Sequence, residues 1–295
     1  MKVYIAGTDI TDYADVTACK YVDAGTGESD RIEITFGASE NFLSWKPCAG
    51  EKIRITDEGI DTGYMPIALE MPGSGAYTVI AAAMPDTAAR REWAAYQSTT
   101  IGDIMRRIAG DAGDECAVWG INTKYAIKYA VRLNESMPEF IARMLTAQAG
   151  LIKWQSGRIC AAGLEWLTAR DTVCNIELRT DGANFDYTAS DISRVGAVSV
   201  ISPYGRGIAQ GDTGAGVMTI TDAPVFSGAE ALMWANGALK LNNLGAETLE
   251  VSLDLNPNIY AWGMYATTGP YTGRWLAARV EHDLKNRRTS VTLER

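Results

Sequence analysis

Residues 133–163, LNESMPEFIARMLTAQAGLIKWQSGRICAAG, leave the backbone little choice. Ser136 stands three residues before Glu139, the spacing of a capping box in which hydroxyl and carboxylate satisfy free N–H groups reciprocally. Pro138 fits the first helical turn, where a missing N–H costs nothing. Phe140, Ile141, Met144, Leu145 and Ala149 recur at the spacing of one buried helical stripe, and Gly150 stands where a left-handed C-cap is expected. Beyond it, 151–154 and 158–161 flank Gln155-Ser156-Gly157, so the pattern predicts a helix followed by a hairpin. A helix packed on a small sheet follows, with no reactive group in it.

Upstream, residues 1 to about 90 read as β. Val3 and Ile5, then Ile32, Ile34 and Phe36, then Ile53 and Ile55 alternate with polar neighbours, so each run buries one face. Gly- and Pro-rich turns at 24–27, 47–50, 58–59 and 72–75 separate the runs and predict a small sandwich or barrel. From 91 the period changes. Thr100 precedes Ile101, Ile104, Met105 and Ile108, with Asp103 in the first turn, and the predicted helix closes at residues 110–113. Strand pattern across 126–133 leads back to the helix already described.

From about 166 a second β-rich unit is predicted, interrupted by one helix. Residues 195–201 form an apolar run that enters Gly205-Arg206-Gly207 and Gly211. Paired glycines after a strand invite a dinucleotide-loop reading, but no helix follows to hold a pyrophosphate, and a mobile loop between strands is expected instead. Ser227 and Glu230 repeat the capping-box spacing ahead of Ala231, Trp234, Ala235, Ala238 and Leu241; Gly237 inside that helix requires tertiary support. Leu249, Val251, Leu253 and Leu255 alternate without a fault. The chain closes on a predicted hairpin turning at 285–288, whose first strand places Leu276, Ala278, Val280, His282 and Leu284 on one face.

Composition excludes several classes. Lys plus Arg total 27 against 36 Asp plus Glu, a net charge of −9, and no basic block offers a grip on phosphate backbones. The acidic, Gly-containing first residues do not read as a signal peptide, and no apolar run reaches membrane-spanning length. Five dispersed cysteines, Cys19, Cys48, Cys116, Cys160 and Cys174, lack Cys-x-x-Cys spacing and are expected to be mostly buried small hydrophobes. Asp111, Asp114 and Glu115 lack the alternating spacing of a calcium loop and read as a solvated helix end. With one histidine, any Ser-His-Asp or Cys-His centre would depend on His282, which its apolar neighbours mark as a core or interface residue. No catalytic, cofactor-binding or metal residue is therefore assigned, and no cofactor is expected.

Several ordered landmarks resemble the phage late control D family of tail baseplate hubs. They are Ser29-Asp30-Arg31-Ile32-Glu33-Ile34, Trp45-Lys46-Pro47, Gly50-Glu51-Lys52-Ile53, Trp93 with the helix from Thr100, and Asn134-Glu135-Ser136 with Glu139, Phe140, Arg143 and Gly150. Gly273-x-Trp275, His282 and a Thr-rich last strand complete the series. Asn256-Pro257 and Gly263 depart from the two glycines usual before the final hairpin.

The resemblance implies an α+β, mainly β chain with two tail-tube-like β-barrel domains, 1–90 and 166–295, flanking a small α/β domain, 91–165. It implies a homotrimer that joins a sixfold tail tube to a threefold central spike without a chemical step. Tail tube protein, central spike protein, other baseplate proteins and the tape measure protein are the implied partners, with no specific nucleic-acid binding and no membrane segment. The implied location is the virion tail baseplate, assembled in the host bacterial cytoplasm. The alternatives are a tail-associated cell-wall hydrolase using a carboxylate pair, or a carbohydrate-binding module using some of the eight Trp and thirteen Tyr.

Overall fold

Strand Val16–Ala24 joins the two ends of the chain. One edge pairs antiparallel with Arg31–Gly37, the other with Gly273–Asp283, where Tyr21 stands opposite His282. The computed structural model describes residues 1–37, 46–181, 183–190, 194–211 and 216–295. Trp45 of the Trp45-Lys46-Pro47 step and residues 212–215 of the expected loop lie outside the described residues.

Through this junction the strands of both β regions form one 14-stranded sheet. Its main path runs from Phe185–Ala189 through Glu247–Asp254, Arg288–Glu294, Gly273–Asp283, Val16–Ala24, Arg31–Gly37, Ala76–Ala82, Met65–Gly73 and Lys52–Asp57 to Lys2–Ile5 and Thr8–Asp9, with Met264–Thr268, Thr172–Glu177 and Ile60–Asp61 paired beside it. Alternation explains the strands: Ile32, Ile34 and Phe36 are fully buried while Arg31 and Glu33 face solvent. Leu249 and Val251 are likewise buried, whereas Leu253 is half-buried and Leu255 lies beyond the strand end.

The period-two reading of the last hairpin fails at one point. A bulge at Ala278 shifts the register between Ala277 and Arg279. An extra residue reverses which side chains face which side. Trp275 and Ala277 therefore share a core with Val280, Val291 and Leu293, while Leu276 packs with Trp262 and Met264 on the other side.

The middle region carries helices Ile101–Ala112 and Met137–Leu145. Thr100 caps the first, which ends on Gly113 in the left-handed conformation. Strands Glu92–Thr100 and Ala126–Glu135 pair as a ribbon, and Glu115–Trp119, Arg158–Gly163 and Gly150–Gln155 form a three-stranded sheet. Phe140 stacks on Tyr96 at 5.0 Å, and both belong to the core that contains Ile32, Ile53 and Val79. The first β region and the middle region thus share one hydrophobic interior.

Ser136 and Glu139 form the full capping box. The helix end differs from expectation: a 3-10 turn, Thr146–Gln148, follows, and Ala149 takes the left-handed conformation at φ 46°. Gly150 opens a strand instead, because a Cβ there would lie 2.8 Å from the Leu145 Cβ. The glycine serves close packing, not capping.

Gly205–Gln210, expected as a loop, is a strand paired with Ala197–Ser202, and Val217–Ile220 completes a small sheet. Helix Gly228–Asn243 lies directly on it. A Cβ on Gly207 would fall 2.2 Å from the Leu232 nitrogen, so the glycines exist to let helix backbone approach strand backbone. Gly237 has the same purpose toward the Thr146 carbonyl. Ser227 caps this helix, but Glu230 accepts from Phe226 N–H at 2.6 Å instead of closing the box on Ser227, and Leu241 is half-buried at the stripe's edge.

Among the cysteines only Cys19 and Cys160 are buried. Cys116 and Cys174 are half-buried against cores, and Cys48 is exposed, against expectation. Burial pushes the Cys19 thiol up to about 12. No helix among the described residues is long and apolar enough to cross a membrane.

Candidate functional site: the shared sheet and its polar junction

One face of the sheet carries rows of polar and charged residues, broken where Val22, Ala24 and Leu276 are buried on it. Across the polar face, Asp186 stands opposite Glu250, Glu250 opposite Thr292, and Thr292 opposite Arg279. The row continues over the junction: Ser290 faces Glu281, and Lys20 faces Glu33 on the next strand. Lys20 donates to Glu281 at 2.8 Å, so a salt bridge ties the two ends of the chain on this face. Asp186, Glu250, Ser252, Ser290, Arg31 and Glu33 are exposed. Away from the junction this row is mixed in charge and open to solvent; at the junction itself Arg279 and Glu281 stand opposite the buried Ala24 and Val22.

Beneath the opposite face, three chain regions meet at a buried polar cluster. Asp23 accepts from Lys153 Nζ at 2.6 Å and from the Ala261 N–H at 2.8 Å. Asp30, fully buried, accepts from the Tyr21 hydroxyl at 3.0 Å and the Ala24 N–H at 3.1 Å. Burial, with the neighbouring Asp23 charge, raises the Asp30 carboxyl to about 7, against the opposing pull of Lys153. Burial works against the Lys153 charge, but the Asp23 and Asp30 carboxylates outweigh it and leave the ammonium's pKa raised. Burial pushes the Tyr21 phenol well up. Main-chain bonds add to the joint: Gly27 N–H donates to Ile152 C=O at 2.7 Å, and Gly25 N–H to Ala278 C=O at 2.7 Å.

His282 belongs to this junction. It is 3% exposed and stacks on Tyr21. Its Nε2 lies 3.1 Å from the Ile259 carbonyl, which only accepts, so Nε2 carries the proton and Nδ1 accepts from the Thr289 hydroxyl at 3.0 Å. Burial lowers its pKa below the ordinary imidazole value, against the raising effect of Asp23. Both nitrogens are thus engaged, one with the 256–263 loop and one with the neighbouring strand. Asp114 accepts from the Trp154 indole at 2.8 Å and Glu115 pairs with Arg158, so two of the helix-end acids are structural. Among the described residues no group of His, Cys, Asp and Glu is arranged to hold a metal.

The sequence reading missed Asp23, Asp30 and Lys153. The available signal was a charged residue at a core-facing position: Lys153 interrupts the apolar run Leu151, Ile152, Trp154, and Asp23 sits between the buried Val22 and Ala24.

This fold is similar to those of several solved tail proteins. The tail protein of Neisseria meningitidis MC58 superposes with a TM-score of 0.79 at 10% identity, covering 100% of this chain and 96% of its own. The 43 kDa tail protein of prophage MuSo2 from Shewanella oneidensis gives 0.73 at 11% identity, covering 99% and 97%. The E. coli c3393 protein gives 0.64 at 13% identity, covering 99% of this chain and 76% of its own. It is described as a component of the type VI secretion system with structural similarity to the T4 tail proteins gp27 and gp5. No family model matches the sequence, and no curated protein matches it significantly. The fold agrees with the late control D resemblance read from the landmarks.

Proposed function

We propose that this chain is the structural hub of a phage or phage-like tail baseplate, carrying out no chemical step. The observation that carries the reading is the junction of Val16–Ala24 with Gly273–Asp283, which makes one sheet from two β regions with charged rows on either side of it. In this reading the regions 1–90 and 166–295 each supply a tube-like barrel and 91–165 braces them. Three subunits present six barrels, which matches a sixfold tail tube to a threefold spike. The polar face, with Asp186, Glu250, Glu281 and Glu33 along it, lines the lumen and repels passing DNA. Tube, spike, neighbouring baseplate proteins and the tape measure protein are the partners, in a virion tail assembled in the bacterial cytoplasm.

The engaged state of both His282 nitrogens supports a structural role for that residue. Native mass spectrometry of the purified chain tests the reading: a trimer supports it, and a monomer at all concentrations, with the spike protein added, contradicts it.

A further inference from the structure

A cavity of about 350 Å³ opens where Glu115–Trp119, Gly150–Gln155, helix Leu164–Ala169 and the 256–263 loop meet. The hub reading makes no use of it. Its walls are rings: Trp119 and Trp166 stack at 6.1 Å with planes 16° apart, and Tyr260 and Trp262 line the facing side. Trp119, Trp166 and Tyr260 remain 37–39% exposed.

The backbone is shaped to hold these rings. Gly120 has φ +62°, and a Cβ there would stand 2.2 Å from the Trp166 Cβ; a Cβ on Gly163 would stand 2.5 Å from the Gly120 carbonyl. Only glycine at both positions lets the two indoles lie together. Trp262 itself has φ +68°, a strained conformation for a bulky side chain. It is held by its N–H to Ala277 C=O at 2.8 Å and its indole N–H to Gly25 C=O at 2.5 Å.

The floor is the Lys153–Asp23 ion pair, and the rim carries the guanidinium of Arg170. Lys153 Nζ, in a residue 5% exposed, has three N–H donors but, among the described residues, one acceptor, Asp23. It also lies 5.6 Å from the Trp262 ring. Both Asp23 oxygens are already engaged, by Lys153 and Ala261 N–H. Arg170 sits 5.2 Å over Trp166, donates weakly to Trp262 C=O at 3.4 Å, and forms no ion pair among the described residues. A ringed cavity of this size, with a rim guanidinium that has no ion pair among the described residues, suits a small ligand that has an apolar face and a negative charge.

We infer that this cavity binds a carboxylate-bearing saccharide, its pyranose C–H face on the exposed aromatic rings that line the cavity and its carboxylate on Arg170. The ring faces are electron-rich and attract polarised C–H groups, while Arg170 offers the planar fork that fits a carboxylate. An apolar peptide side chain would need a deep aliphatic slot, and the apolar lining here is almost all aromatic.

Isothermal titration of the full chain tests this with a glucuronate-containing tetrasaccharide, its carboxyl-reduced neutral analogue, and a hexaglutamate peptide. The acidic saccharide is expected to bind saturably, at least tenfold tighter than the neutral analogue. Trp166→Ala should abolish binding of both sugars, and Arg170→Gln should bring the acidic sugar down to the affinity of the neutral one. Arg170 lies at the rim, so that variant reports even if Trp166→Ala fails to fold. Absence of saturable saccharide binding by the wild type, affinity unchanged in Arg170→Gln, or tighter binding of the peptide than of the sugar would each overturn the inference.

Discussion

Lys153 and Asp23 are 130 residues apart in the chain and 2.6 Å apart in the fold, and each is at most 5% exposed. Asp23 belongs to the strand that joins the two β regions, and Lys153 to the sheet of the middle region. The same aspartate accepts from Ala261 in the last third of the chain. One carboxylate thus fixes three regions.

Replacing Lys153 by Met keeps the length of the side chain but leaves two buried carboxylates without their cation. The expected loss is about 3–5 kcal/mol of unfolding free energy, read from urea denaturation followed by circular dichroism. A loss under about 1 kcal/mol, the range of exposed pairs, would show that the pair is solvated in solution.

Asp30 sets a pH dependence. Its carboxyl rises from 3.8 to about 7 on folding. Below about pH 4 both folded and unfolded chains hold this proton; between about 4 and 7 only the folded chain does. This group's contribution to stability is therefore fully present at acid pH and is lost as pH rises to about 7, by at most about 4 kcal/mol. His282 acts in the opposite sense. Its lowered pKa means that the unfolded chain alone binds a proton just below the ordinary imidazole value, so its contribution is lost as pH falls. Asp30→Asn should remove the falling limb: urea midpoints of variant and wild type measured from pH 4.5 to 7.5 should diverge in the variant's favour as pH rises. Parallel curves would show that Asp30 ionises normally in the fold.

Two helical glycines should respond oppositely to alanine. A Cβ on Gly237 would meet the Thr146 carbonyl oxygen at 1.8 Å, so Gly237→Ala must push helix Gly228–Asn243 off the middle region, at a cost of about 3 kcal/mol. Gly110, inside helix Ile101–Ala112, has nothing within 4 Å of that position. Gly110→Ala should stabilise by about 0.5–1 kcal/mol through helix propensity and a stiffer unfolded chain. Thermal melts of the two variants check both signs at once.

Ser136→Ala removes the hydroxyl that accepts from Glu139 N–H and leaves Glu139 to bond one way only. The expected cost is about 1 kcal/mol, and Ser136→Asp should recover most of it. Hydrogen exchange of the Glu139 amide reports the change locally.

Local chemistry was legible in the sequence where the signal was itself local. The Ser136 cap, the Ile32, Ile34 and Phe36 alternation and the Thr100 helix start all depend on neighbours within four residues, and all appear as read. What could not be read was what distant segments do to each other. Gly150, Gly205, Gly207 and Gly237 look like caps, loops or defects until the backbone packed against each is known. The Ala278 bulge exchanges the faces of a strand without any break in its apolar composition. Asp23 and Lys153 are an ordinary acid and an ordinary base until the fold brings them together, and the aromatic cavity draws rings from two regions of the chain.

The central claim is that this fold closes a ring between tube and spike, and electron microscopy tests it most directly. The chain would be co-expressed with the tail tube and spike proteins encoded beside it and the particles imaged in side and axial view. The account predicts threefold rings with an open lumen lined by the polar sheet face, stacked on a sixfold tube. Single copies that never join a ring in the presence of both partners would contradict it.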